Sequence, residues 1–299
     1  MKTLTVFTPT YNRAHTLTRV YDSLCRQTCN DFEWLVVDDG STDNTRELVQ
    51  EFVSQNKIVI TYIYKENGGL YTGYNMAYLN IRTELNVCVD SDDFMPDNAV
   101  EIIVNKWKGS GSDKYAGILG LDFYASTEQP ISGYFPDKMT ECYFYELYIK
   151  NIHKGDSKQV LRTELMREVA PLVGYQGEKD FNPVYMIWQV CDKYPLLVIN
   201  ENLCFVEYQQ NDSMSANIYK QYVRSARSFA KTRILEMQLK HNTFLNKIRC
   251  AIHYVSSCLI ARDSDWLKKT PEKLITLCVS PLGLIWYLFI RYKTRNYRA

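Results

Sequence analysis

The chain reads as an α/β protein: a mostly parallel sheet with helices on both faces, followed by a C-terminal helical region. Three observations predict this. Over about the first 110 residues, strand-length apolar runs alternate with amphipathic helical patterns. Two of those runs end in carboxylate clusters, Asp38-Asp39 and Asp90-Ser91-Asp92-Asp93. From Ser215 onward the pattern becomes almost wholly helical.

The elements follow in order. Leu4 to Thr8 is a short strand that Pro9 should stop. Leu17, Val20, Tyr21 and Leu24 then recur at helical spacing, which predicts a helix over 15–27. Trp34 to Val37 is the second strand, and Ser41-Thr42-Asp43 supplies the caps of a second helix carrying Leu48, Val49, Phe52 and Val53. Ile58 to Tyr64 is rich in β-formers. Asn67-Gly68-Gly69 is a loop, and Tyr74 to Leu79 reads as helical. Leu85 to Val89 is the fourth strand, and Pro96-Asp97-Asn98 opens the next helix. Residues 109–113 read as a flexible loop, Ile118 to Tyr124 as a strand and 158–170 as a helix. Leu196 to Ile199 and Cys204 to Tyr208 read as two further strands. Tyr219 through Met237 gives one long helical pattern, continued over 244–260.

In open parallel sheets, ligands bind beyond the carboxyl ends of the strands. Asp38 and Asp39 sit at such an end, where a carboxylate is costly unless something donates to it. The donors of a nucleotide base or ribose suit that need. The second cluster packs three carboxylates into four residues, which repel each other unless a cation is present. Mg²⁺ or Mn²⁺ bridging a nucleotide diphosphate fits, because such ions bind through one or two carboxylates plus phosphate oxygens. A solvated acidic turn would look the same in isolation; two clusters at two strand ends favour a site. No GxGxxG follows the first strand and no GxxxxGK[ST] loop is present, which argues against dinucleotide binding and a P-loop.

The bulk numbers narrow the class. The 299 residues are 46% hydrophobic and 23% charged, an ordinary globular composition. A net charge of +1 gives no electrostatic case for nucleic acid. The nine cysteines form no zinc spacing and no CxxC pair, which suggests reduced thiols in a cytosolic compartment. The first nine residues read as a strand rather than a signal peptide. His15 and His153 stand without partner spacing and read as surface or helix-end histidines.

Taken together, Thr8-Pro9-Thr10-Tyr11-Asn12-Arg13, Val37-Asp38-Asp39-Gly40-Ser41-Thr42-Asp43, Asn67-Gly68-Gly69 with Asn75 downstream, and Asp90-Ser91-Asp92-Asp93 resemble a family 2 glycosyltransferase of the GT-A fold. The match of order and spacing covers about the first 110 residues. The resemblance implies a nucleotide-sugar donor, with a UDP-sugar favoured, and inversion at the anomeric carbon. It implies that Pro9, Tyr11 and Asp39 line the base and ribose pocket, with Arg13, Asn67 and Gly68 beside it. Asp90 would lie near the ribose or metal, and Asp92 would be the main ligand of Mg²⁺ or Mn²⁺ with Asp93 as the alternative. The stretch Gly177-Glu178-Lys179-Asp180 resembles the family's acidic motif that supplies the base. Asp180 is favoured for that role, with Glu178 close behind. Glu207 reads as structural, near the end of a catalytic domain over 1–210.

The remaining residues, 211–299, form the helical region. Residues 274–290 are strongly apolar, are interrupted by Ser280-Pro281 and Gly283, and lead into Arg291, Lys293, Arg295 and Arg298. That combination suits peripheral contact through 274–298 with the inner face of a cell membrane, or equally a buried or homodimer contact. The expected acceptor is a glycan, free or lipid-linked, in a bacterial surface-polysaccharide pathway. Two rivals differ in class. A sugar-phosphate nucleotidylyltransferase needs a Gly-rich basic loop after the first strand, and Thr8 to Arg13 is not one. A non-catalytic nucleotide-sugar-binding domain would share every motif but the base.

Overall fold

The computed structural model describes residues 2–207 and 218–296. Strands β1 (Leu4–Thr10), β2 (Phe32–Asp38), β3 (Ile60–Tyr64) and β4 (Leu85–Cys88) alternate with helices α1 (Ala14–Cys25), α2 (Thr45–Gln55), α3 (Leu70–Asn80) and α4 (Ala99–Ser110). Then come β5 (Gly117–Tyr124), β6 (Glu141–Cys142), α5 (Phe144–Ile149), β7 (Ser157–Arg162), α6 (Thr163–Val169), α7 (Val184–Cys191) and β8 (Leu196–Val206). The eight strands form one sheet in the order β3-β2-β1-β4-β7-β5-β8-β6. β1 to β4 are mutually parallel, β5 pairs parallel with β8, and β7 runs antiparallel between β4 and β5.

Strands buried on both faces need apolar residues at successive positions. β2 supplies them: Trp34 and Val36 face the cluster under α1, α2 and α4, while Leu35 and Val37 face the cluster under α3, α6 and α7. Tyr21 stacks on Phe52 at 4.0 Å between centroids, which locks α1 to α2. The indole of the fully buried Trp34 donates to Thr8 Oγ1 at 3.0 Å, so its polar atom costs little.

Several expectations need correction. Pro9 does not stop β1, which runs on to Thr10. α4 continues through Ser110 into the stretch expected as a loop. Residues 158–162 are not helical: they belong to β7, a central strand whose Val160 and Leu161 face opposite cores, and α6 starts only at Thr163. The two late strands are one, β8, with register shifts opposite Leu119–Asp122. Tyr208 and Ser215 lie outside the described residues, as does the expected domain boundary at 210.

The C-terminal region is helical: α8 (Ile218–Arg224), α9 (Ala226–Gln238), α10 (Phe244–Ala261), α11 (Trp266–Lys269) and α12 (Lys273–Lys293). The single long pattern expected over 219–237 is two helices broken at Ser225. Met237, Ala251, Tyr254, Val255 and Cys258 form a separate apolar cluster there. The region is fastened to the sheet domain through buried polar contacts: Tyr145 donates to Glu236 at 3.1 Å, and Asn246 donates to Tyr145 at 2.8 Å. α12 passes uninterrupted through Pro281. The proline removes the donor for the Leu277 carbonyl, and the Ser280 hydroxyl replaces it at 2.8 Å.

Candidate active site

β1 lies between β2 and β4, so the chain reverses its direction of growth across the sheet at the β1–β4 crevice. Ligands of open α/β sheets bind at such a switch point. The loops after β1, β2, β3 and β4 all emerge there, and together with Pro9 at the end of β1 they carry the nucleotide and metal residues that the sequence singled out.

Asp39 is the hub of the first half. It is 5% exposed, and its carboxylate accepts from the Gly68 and Gly69 backbone N–H groups at 2.9 Å each. The Lys65 ammonium pairs with it as well, and Thr72 Oγ1 donates at 3.3 Å. Asn67 Nδ2 donates to the Asp39 carbonyl at 2.8 Å. The residue expected to meet a base thus clasps the loop of 65–72 in this structure. Gly69 is required at its position: its φ is +92°, and an added Cβ would lie 2.4 Å from the Lys179 carbonyl oxygen. Asp38 is also committed, accepting from the Ser41 N–H at 2.8 Å and the Tyr62 hydroxyl at 2.6 Å.

Pro9 and Tyr11 sit beside this hub, and Tyr11 is 48% exposed with its ring free to stack. Asn12 at φ +53° laces the loop to its neighbour: its side-chain oxygen accepts from the Thr42 N–H at 2.7 Å. Arg13, half-buried in the same loop, forms no ion pair among the described residues.

The second half lies across the β1–β4 crevice. A cavity of about 220 Å³ is lined by Asp90, Asp122, Tyr148, Asp156, Lys158 and Gln159 among others. β7 brings Lys158 there, because its antiparallel start abuts the carboxyl end of β5; Lys158 Nζ lies 3.6 Å from Asp122 Oδ1. One ammonium faces Asp90, Asp93 and Asp122, whose charges raise its pKa against the opposing effect of burial. Burial raises Asp90, and the charge of Asp92 adds to that. Asp93 is pushed up to about 8 by burial, with Asp90 and Asp92 contributing and Lys158 opposing. Asp122 is pushed up to about 6, again by burial first. More carboxylates than cations share this pocket, so protons fill the deficit.

That deficit is where a divalent cation fits. Among the described residues no group of three or more His, Cys, Asp or Glu is arranged to hold a metal by itself. An ion here would take one or two carboxylates and complete its shell from a ligand's phosphates. Asp90 lines the cavity, and Asp92, two residues on, is half-buried with its carboxylate unpartnered among the described residues. Asp93 is turned inward: it is 5% exposed and accepts from the Glu207 N–H at 3.4 Å. The structure therefore turns the alternative metal residue inward, where it joins β8 to the loop after β4. Glu207 also pairs with Arg19, whose guanidinium donates to the Asp92 carbonyl at 2.6 Å, so Glu207 braces this loop.

Glu178 and Asp180 are both engaged by the C-terminal helices. Glu178 accepts from the Arg227 and Ser228 N–H groups at 3.0 and 2.8 Å, and from the Ser228 hydroxyl at 2.7 Å. It caps α9 from outside, where a carboxylate complements the helix dipole. Asp180 is bridged by both arms of Arg224, with Nε at 2.6 Å, and by the Ser225 hydroxyl at 2.8 Å. His153 corrects another expectation. It is 2% exposed against Phe135, at 4.8 Å between centroids, and burial lowers its pKa.

The sequence reading missed Lys158, Asp122, Asp156 and Lys65. The usable signal was an Asp inside the otherwise apolar run of β5 and a Lys heading a strand.

The Asp122 shift gives a direct prediction. Its folded pKa lies above its unfolded value, so the folded chain binds this proton more tightly. Stability from that proton is fully present below about pH 4 and is lost as pH rises through about 6. Subtracting the thermal-melt profile of Asp122→Asn from that of the native chain should leave a fall between pH 4 and 6. A flat difference would show that Asp122 titrates normally.

The fold built around this crevice is an α/β domain of the GT-A type. The chain belongs to glycosyl transferase family 2, whose model matches residues 5–164. It is 29% identical over 214 residues to the glycosyltransferase GlyG of Streptococcus pneumoniae, covering 67% of this chain and 69% of that one. GlyA of the same organism is 31% identical over 145 residues, covering 48% of this chain but 20% of GlyA. Chondroitin synthase of Pasteurella multocida is 33% identical over 104 residues, which span 11% of that protein. Staphylococcus aureus TarS 1–349, solved with UDP-GlcNAc, superposes with a TM-score of 0.62 at 19% identity over 100% of this chain and 93% of that one. The Pyrobaculum calidifontis mannosyltransferase PcManGT, solved with GDP-Man and Mn²⁺, gives 0.57 at 16% identity over 99% and 87%. At these identities the likeness is one of fold.

Proposed function

We propose that the chain is an inverting glycosyltransferase that moves a sugar from a nucleotide-sugar donor, UDP-linked by preference, to a carbohydrate acceptor in surface-polysaccharide assembly. The observation that carries this reading is the carboxylate excess at the β1–β4 switch point, facing a cavity of sugar size. Family membership supports it. So do the UDP-GlcNAc bound to TarS and the Mn²⁺ bound to PcManGT. A cytoplasmic enzyme, at most peripheral to the inner face of the membrane, is part of this proposal.

In this reading Pro9, Tyr11 and the Asp39–Asn67–Gly68 clasp receive the base and ribose, with Arg13 at the rim. Asp92, with Asp90, would hold Mg²⁺ or Mn²⁺. When bound, the ion supplies Lewis-acid neutralisation of the diphosphate leaving group. Lys158 adds a fixed positive charge from inside the pocket. Asp180 takes the proton of the acceptor hydroxyl as the new C–O bond forms and the bond to the diphosphate breaks. Asp180 is preferred over Glu178 on chemical grounds. Glu178 satisfies two backbone N–H groups that have no other partner, whereas the partners of Asp180 are side chains that can swing away.

Calorimetric titration of UDP into the native chain, with and without Mn²⁺, tests this. Binding should tighten on the order of tenfold or more with Mn²⁺, since the ion bridges carboxylate and phosphate. If UDP, GDP and dTDP all fail to bind a chain whose circular dichroism shows it folded, the donor reading is wrong.

A further inference from the structure

The long helix α12 turns a wide apolar surface to solvent. Leu274, Leu277, Leu282, Ile285, Leu288 and Tyr292 are each more than half exposed. At about 100° per residue these six spread over an arc of roughly 140°. The opposite side, with Thr276, Gly283 and Ile290, is buried. There α12 packs closely on α10: a Cβ on Gly283 would lie 2.6 Å from the Val255 side chain. The charges are placed with equal consistency. Lys273 and Arg291 fall at one edge of the apolar arc and Lys293 at the other, and Arg295 follows. Lys273 to Lys293 contains no Asp or Glu at all. The neighbouring Glu272 is already paired with Lys247, and Asp263 and Asp265 with Lys269 and Lys268.

This charge pattern selects the occupant. If a second copy covered the face in antiparallel fashion, Lys273 of each helix would meet Arg291 and Lys293 of the other. A parallel pairing would also set cation on cation. Either arrangement repels, whereas a sheet of anionic headgroups attracts both edges of the arc. The helix is long and apolar enough to cross a membrane, with a mean hydropathy of 1.8. Crossing would require it to leave α10 and expose the cluster it covers. Lying flat keeps that packing and buries only the face that is now wet.

We propose that α12 docks in the plane of an anionic lipid surface, its apolar arc at the acyl boundary and its cationic edges on the lipid phosphates. The proposal does not depend on the donor site. A glycosyltransferase so placed would meet an acceptor carried on lipid.

The test is co-flotation of the full chain with phosphatidylcholine vesicles, with or without about a third phosphatidylglycerol. The chain should float with the anionic vesicles about tenfold or more over the neutral ones, and high salt should reverse this. Ile285→Gln with Leu288→Gln should lower the bound fraction on the order of tenfold or more, with UDP binding and circular dichroism unchanged. Those controls separate loss of docking from loss of fold or donor site. Absence of flotation by the native chain overturns the proposal. So does a native dimer that the two substitutions dissociate. Resistance of the bound chain to alkaline carbonate extraction overturns the in-plane placement.

Discussion

Asp180→Asn should lower the rate of transfer to a carbohydrate acceptor by about 10²–10⁴-fold, the usual worth of a general base. UDP affinity should stay within about twofold, because the Asp180 carboxylate is held by Arg224 and Ser225 and makes no contact with the Asp39 clasp that receives the nucleotide. Melting temperature should fall little. The Arg224 partner is half-exposed, and pairs of that kind contribute about 1 kcal/mol or less. Glu178→Gln should behave in the opposite way. It weakens the cap on Arg227 and Ser228, which costs about 0.5–2 kcal/mol, and should leave transfer within a few-fold. Initial-rate kinetics with a UDP-sugar, paired with thermal melts of both variants, decides the matter. Loss of transfer in Glu178→Gln alone would exchange the two roles. Full transfer in both would place the base elsewhere, and Asp122 and Asp156 would be the next carboxylates to replace.

The contrast between these two residues shows what a sequence can carry. The strands of the first half were legible because each is a short apolar run bounded by turn signals, and burial on both faces demands such a run. Val36 and Val37 are adjacent and both fully buried. The carboxylates after β2 and β4 were legible for a related reason, since charges at the end of a buried run are costly without a partner. β7 was not legible. It opens with Ser157-Lys158-Gln159, and Leu161, Leu165 and Met166 recur at helical spacing across its junction with α6. Only the gap between β4 and β5 makes it a strand, and that gap is a tertiary fact. The partners of Glu178 and Asp180 come from α8, α9 and the break at Ser225, far along the chain, so no local pattern announces them. The Asp39 clasp was half-visible: the carboxylate and the Asn67-Gly68-Gly69 turn were both noticed, but not that each satisfies the other.

Asp92→Asn should remove the metal dependence of nucleotide binding. The pocket around Lys158 is short of positive charge, and beside it the Asp92 carboxylate has no hydrogen-bond or ion-pair partner among the described residues, whereas Asp93 is turned into the core. Replacing it by the isosteric amide keeps shape and removes a charge that a divalent ion would need. Transfer should fall about 10²–10³-fold, comparable with removing one preorganised stabiliser of transition-state charge. UDP titrations with Mn²⁺ and without should then coincide. The same change at Asp93 should act differently. Its carboxyl joins the loop after β4 to the end of β8 and is pushed up to about 8, so much of it is protonated near neutrality. Asp93→Asn replaces a largely neutral group by a neutral one, and should leave the Mn²⁺ dependence in place. If Asp93→Asn abolished that dependence and Asp92→Asn spared it, the loop would have to turn over on binding, bringing the buried carboxylate out to the ion.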